Sequence, residues 1–176
     1  MKILLITGMP GAGKEELLNV ARSMDIPFLR MGDIVREFHA TSGAAEKGLS
    51  VGQVANGERE KHGKDIWAKR ALERMSGDIF LVDGCRSLDE VNSYKGLSKD
   101  VYIIAIHASR ETRYKRLIER GREDAPKNMA EFDERDNREM GWGLGNVIAL
   151  SDFMIVNDSD LDSFKEKVKR TLEELR

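Results

Sequence analysis

The sequence predicts an α/β protein of three layers, with helices on both faces of a five-stranded parallel sheet. Three observations lead there. Ile3–Ile6, Ile79–Val82, Val101–Ile106 and Phe153–Val156 are apolar without alternation, as strands covered on both faces must be, and Ile26–Met31 reads as a shorter fifth. Helical periodicity recurs between these runs, and crossovers linking parallel strands are right-handed. Lys14, Asp33, Asp83 and His107 fall at or just past the ends of the runs, where ligands gather in such sheets.

The first run leads into Gly8-Met9-Pro10-Gly11-Ala12-Gly13-Lys14, after which Leu17, Leu18 and Ala21 recur at helical spacing. Glycines in a strand-to-helix turn let successive backbone N–H groups wrap a polyphosphate. The helix N-terminus adds partial positive charge, and Lys14 adds an ammonium for the outer phosphates. The usual pattern continues with a Ser or Thr whose hydroxyl holds Mg²⁺. Here Glu15 stands in that place, followed by Glu16. Two carboxylates there repel phosphate unless they turn away or hold the metal through water.

Past the second run, Asp33 reads as the N-cap of a helix through Ile34, Val35 and Phe38. The polar stretch from Thr41 to Gly63 interrupts the strand–helix alternation but carries Val51, Val54 and Ala55 at helical spacing. A helix over Asp65–Met75 follows, with Trp67, Ala71 and Met75 as its inner stripe. Residues 32 to about 62 are thus a helical insertion in a single domain over 1–176, whose core is 1–31 and 63–176. A helix from Glu111 ends at Gly121, and Met129, Phe132 and Met140 mark one side of another that closes at Gly141-Trp142-Gly143-Leu144-Gly145.

Composition excludes several functions. Lys plus Arg total 29 against 31 Asp plus Glu, a net charge of −2 over 176 residues. That gives no general attraction for nucleic acid or anionic membrane. One cysteine, Cys85, rules out an intrachain disulfide, and no Cys/His cluster has zinc-ligand spacing. No apolar stretch approaches the ~20 residues a membrane span requires, and no signal-peptide pattern is present. The expectation is a cytoplasmic protein, monomer or homodimer.

Asp83 ends a hydrophobic strand, where an acid holds Mg²⁺ directly or through water; the alternative is a turn acceptor beside Gly84. Arg36 and Arg86 each follow an acid by three residues. Their planar forks suit a phosphorylated acceptor, against the alternative of surface ion pairs. Arg116 and Arg120 share a helical face, and the charged segment from Arg122 to Lys127 suits a cover of about 121–140 that excludes water from a transferring phosphoryl group. Arg135 and Arg138 are either further phosphate clamps or partners for Asp133, Glu134 and Asp136. Cys85 is a packing residue, His107 is structural, and His39 and His62 are surface residues of the insertion. Phosphoryl transfer relies on positioning and charge neutralisation, so the lack of an acid–base dyad is no objection.

With these residues placed, the chain resembles the P-loop proteins of nucleoside-monophosphate-kinase type. More closely, it resembles archaeal adenylate-kinase-related proteins likened to dephospho-CoA kinase. TGMPGAGK at 7–14, MGDIVRE at 31–37, LVDGCRS at 81–87, HASRETRYKRL at 107–117, RGRED at 120–124, ERDNRE at 134–139 and SDFMIVN at 151–157 carry the likeness. The tail from Ser151 to Leu175 is more like dephospho-CoA kinase. The resemblance implies a three-layer P-loop NTPase fold, ATP and Mg²⁺ as cofactors, and phosphoryl transfer to a nucleoside monophosphate or dephospho-CoA. It also implies adenine stacking by Arg116 and donor-phosphate contact by Arg120.

The combined expectation is a kinase. Gly8, Met9, Pro10, Gly11, Ala12, Gly13, Lys14 and Glu15, with Arg116 and Arg120, bind the nucleotide. Lys14, Asp83, Arg120, Arg135 and Arg138 serve the transfer, with Asp83 also organising the metal. Asp33, Arg36 and Arg86 hold the small-molecule acceptor. The rival, raised by Glu15, is a nucleotide-binding regulatory protein or slow NTPase without such an acceptor.

Overall fold

The computed structural model describes residues 1–121 and 125–176. Five strands form one sheet in the order β2-β3-β1-β4-β5: β1 Lys2–Thr7, β2 Phe28–Arg30, β3 Ile79–Asp83, β4 Val101–His107 and β5 Phe153–Val156. Every neighbouring pair is parallel. Along β1, Ile3 and Leu5 enter one core and Leu4 and Ile6 the other, all at 0% exposure. That double burial explains why the strand runs lack alternation.

Helices α1 (Lys14–Ser23) and α9 (Leu161–Leu175) cover one face, burying Leu17, Leu18 and Ala21 against Phe164, Val168 and Leu172. The other face is covered by α2 (Met31–Thr41), α3 (Val51–His62), α4 (Ile66–Leu72), α5 (Leu88–Leu97) and the short α8 (Leu144–Ala149). Trp67 fills the centre of this layer, and its indole N–H donates to the Ala55 carbonyl at 3.1 Å, fastening α4 to α3. Helix α6 (Arg110–Glu119) meets α7 (Met129–Gly141) through Tyr114 and Phe132, packed edge to face at 5.4 Å.

The structure differs from the expectations in four places. Helix α2 begins at Met31, whose side chain drops into the core, so Asp33 lies in the first turn and Arg30 is the N-cap. Met75 lies beyond the end of α4 and is a partly buried neighbour of its core. On α7 only Phe132 of the three apolar markers is buried; Met129 and Met140 are exposed. Gly143, at φ 98°, starts α8 immediately after α7, a helix its flanking glycines concealed. Of the expected cover, Arg122, Glu123 and Asp124 lie outside the described residues, and its later part is α7. Among the described residues, no helix is long and apolar enough to cross a membrane.

Candidate functional site

The carboxyl ends of β1 and β3 are tied together: the Thr7 hydroxyl donates to the Cys85 carbonyl at 3.0 Å, and the Gly84 N–H to the Ile6 carbonyl at 3.1 Å. The loop between β1 and α1 rises from this junction. At Gly8, φ is 140° and a Cβ would stand 2.4 Å from the Ile106 carbonyl oxygen of β4. At Gly13, φ is 113° and a Cβ would stand 2.2 Å from Asn157 Nδ2. Only glycine fits either place.

Distant side chains hold the loop open. Asn157, just past β5, donates from Nδ2 to the Ala12 carbonyl at 2.8 Å, and Arg116 donates to Asn157 Oδ1 at 3.2 Å. Arg113 donates to the Pro10 carbonyl at 3.2 Å while gripping Asp136 of α7 through two bonds of 2.9 and 2.6 Å. Lys14 curls over the loop, donating from Nζ to the carbonyls of Gly8 at 2.5 Å and Met9 at 3.2 Å.

A cavity of about 740 Å³ opens above the loop, a size suited to a nucleotide beside a small second molecule. Gly8, Pro10, Gly11, Gly13, Lys14, Glu15, Arg36, Asp83, Arg86, Arg116, Arg120 and Arg135 all line it. Met9 and Ala12 belong to the loop's framework through the carbonyl bonds just described. Asp33 is paired with Arg36 at the rim. Arg138 is exposed and outside the lining, so the expected second clamp on α7 is not brought to the site.

Two opposite charges face each other in the cavity. Burial pushes the Asp83 carboxyl above its ordinary range, while Lys14, Arg86 and Arg30 draw it back. Burial likewise pushes Lys14 down, opposed by Asp83. Asp83 Oδ1 is buried without a hydrogen-bond partner, as are Arg30 Nε, Arg116 Nη1 and Ser159 Oγ, all on residues lining the same cavity. Unpaired buried polar atoms are costly, and their convergence is what a site built for a polar ligand leaves behind.

Glu15 is neutralised by Arg30, whose guanidinium pairs directly with Oε1, and Arg120 stands 4.0 Å from Oε2. Arg30 occupies the last position of β2 and was not singled out in the sequence; a lone arginine ending a short strand gives no signal. Elsewhere on the cavity wall, Arg86 Nε donates to Glu139 of α7 at 2.8 Å, and its backbone N–H to buried Glu90 at 2.7 Å. Burial alone would lower the Arg86 guanidinium, but Glu139, Glu90 and Asp83 hold it above its ordinary value. Glu139 and Glu90 were also missed, because each is defined by an arginine far away in the chain, Arg86 and Arg59 respectively.

A phosphate-binding loop at the end of the central strand of a parallel sheet, with a lysine and an acid facing each other above it, defines a P-loop nucleotide-binding protein of kinase-like fold. The chain belongs to the AAA domain family, whose model matches residues 7–133, and it groups with the UPF0200 proteins. It is 44% identical over 171 residues to a UPF0200 protein of Thermoplasma volcanium, covering 97% of this chain and 96% of that one. A UPF0200 protein of Hyperthermus butylicus is 46% identical over 176 residues, covering 98% and 94%. Among solved structures, shikimate kinase from Bacteroides thetaiotaomicron superposes with a TM-score of 0.65 at 14% identity, covering 98% of both chains. A gluconokinase from Sinorhizobium meliloti gives 0.63 at 12% identity, covering 99% and 93%. At such identities the likeness is one of fold.

Proposed function

We propose that the protein is an ATP-dependent small-molecule kinase, transferring a phosphoryl group to a phosphorylated acceptor such as a nucleoside monophosphate or dephospho-CoA. The observation that carries this reading is one cavity in which Arg36 and Arg86 line the wall together with the phosphate loop, Lys14 and Asp83. A simple ATPase has no use for these additional arginines. The loop amides and Lys14 would hold the donor phosphates, Arg116 and Arg120 the donor's base and phosphate, and Arg36 and Arg86 the acceptor.

The orphaned Oδ1 of Asp83 fits a magnesium ion, held directly or through water, with its remaining ligands from phosphates and solvent. Bound there, magnesium would neutralise charge developing on the transferring group. Arg135 and Arg120 would add fixed positive charge around that group, and Lys14 would leave the Gly8 and Met9 carbonyls for the outer phosphates. Glu15 supports a second reading, a slow NTPase or nucleotide-responsive protein, since the position that usually offers a hydroxyl is engaged in an ion pair.

Measurement of ADP production with ATP and Mg²⁺ across a panel of phosphorylated acceptors separates the two. The kinase reading expects acceptor-stimulated turnover that falls about 100-fold or more in Lys14→Ala, the scale of losing one transition-state donor, with the fold intact by circular dichroism. ATP hydrolysis indifferent to every acceptor would leave the second reading in place.

A further inference from the structure

Behind Arg86 lies a second cavity of about 490 Å³, sharing that residue with the first. Arg59 and Lys64 come to it from the α3 side, Glu90 from α5 and Trp142 from the end of α7. The guanidinium groups of Arg59 and Arg86 each sit over the Trp142 ring, 5.4 Å from its centroid. Stacking engages the guanidinium plane and leaves its N–H edges for other partners.

The Arg59 guanidinium is only loosely paired in this chamber. Glu90 is fully buried and accepts the Arg86 backbone N–H at 2.7 Å, yet it reaches Arg59 only at 3.4 Å. Arg86 has Glu139 for its side chain. The Arg59 side chain is only 12% exposed. Burial lowers its guanidinium by more than Glu90 and Glu139 restore, and Arg86 adds like-charge repulsion. Across the walls, Arg59, Lys64 and Arg86 face Glu60 and Glu90, and Glu60 is exposed. Two guanidinium groups stacked on one ring, that of Arg59 held only by the 3.4 Å contact to Glu90, leave N–H edges for an oxyanion.

We infer that this chamber receives a second oxyanion, carboxylate or phosphate, of the same acceptor whose first anionic group meets Arg36 and Arg86. The acceptor is then a small metabolite with two separated anionic groups, and Arg86 reads both. This rests on the kinase reading of the central cavity. The competing role for these residues is a purely structural clamp, Arg59 and Arg86 fastening α3 to α7 through Trp142.

Calorimetry on the intact chain with saturating ATP analogue and Mg²⁺ distinguishes the two, using probes that differ in their second group. Glycerol 3-phosphate carries one anionic group, 3-phosphoglycerate adds a carboxylate, and propane-1,3-diol bisphosphate adds a phosphate. The inference expects one of the two-group probes to bind at least about tenfold tighter than glycerol 3-phosphate, the scale of a charge-assisted hydrogen bond; which one identifies the second group. Arg59→Gln should erase that preference while leaving ATP affinity, which also reports the fold, unchanged. Equal affinity for all three probes, or a preference that survives Arg59→Gln, overturns it. If Arg59→Gln fails to fold, Lys64→Gln at the exposed wall supplies the same comparison.

Turnover assays separate this from the parent reading. A one-anion acceptor phosphorylated at a rate indifferent to Arg59→Gln would sink the chamber and keep the kinase. Two-group selectivity with no phosphoryl transfer would keep the chamber and sink the kinase.

Discussion

The two ends of the central cavity are made of different material. The phosphate loop is main chain, held by close approaches in which glycine leaves space for Ile106 and Asn157. The part of the wall proposed for the acceptor is side chain, held by ion pairs: Arg36 with Asp33 and Arg86 with Glu139. Backbone walls tolerate almost no change, whereas ion-pair walls can be rearranged one residue at a time. A single fold can therefore keep one donor end and vary what it accepts.

The sharpest way to break this contrast is at Gly13. In Gly13→Ala, the new methyl meets Asn157, whose amide already serves Ala12 and Arg116 and so cannot withdraw freely. Left-handed strain adds ~1–3 kcal/mol. ATP affinity should fall by between about fivefold and about 150-fold, the range that such strain converts to, with little change in thermal midpoint of the sheet core. Titration with a fluorescent ATP analogue reads it. Near-normal affinity would mean that the loop is more plastic than its close contacts indicate.

Arg86 tests the other end. In Arg86→Lys the charge stays but the fork that meets Glu139 is lost, leaving a mostly buried carboxylate partly unpaired. ATP affinity should hold, while the acceptor's KM rises roughly tenfold, as expected for a charge-assisted bond of ~1.5–3 kcal/mol. An equal loss at both ends would show that the cavity works as one unit and erase the contrast.

The same contrast explains what the sequence could disclose. The sheet was legible because double burial writes unbroken apolar runs, and the loop because its constraints are local: Gly8, Gly13 and Lys14 are neighbours in the chain. Arg30, Glu90, Glu139 and Trp142 acquire meaning only when the order β2-β3-β1-β4-β5 sets their elements around one space. Arg138 shows the reverse error. It lies three residues after Arg135, but on α7 that spacing leaves it exposed while Arg135 lines the cavity. Asp33 misled for a comparable reason: its capping chemistry is sound, but burial of Met31 pulled the helix start three residues earlier.

Acidity gives a subtler probe of the donor end. Lys14 is lowered by burial, so it loses its proton at a lower pH than a free lysine, and ATP affinity should decline as pH rises into that range. Triphosphate favours the protonated amine, so binding there takes up protons. Asp83 is raised by burial and binds metal only when ionised. The magnesium-dependent part of the affinity should therefore fade as pH drops through the upper carboxylate range, with proton release on binding. Calorimetry in buffers of differing ionisation heat measures both signs. Heats independent of buffer would show that neither group changes state when the site fills.

The smallest effect expected is at Glu15. Its carboxylate neutralises Arg30 and stands near Arg120, so it holds two guanidinium groups of the cavity wall in its own field. Glu15→Ser restores the usual hydroxyl and releases Arg30. Because the side chain is 40% exposed, solvent screens the change, and metal-free ATP should bind tighter by no more than about fivefold. The added hydroxyl should also steepen the magnesium dependence of binding. If the variant instead binds ATP more weakly, the Glu15–Arg30 pair is bracing the loop's exit into α1, and the donor end depends on a side-chain ion pair as much as the acceptor end does.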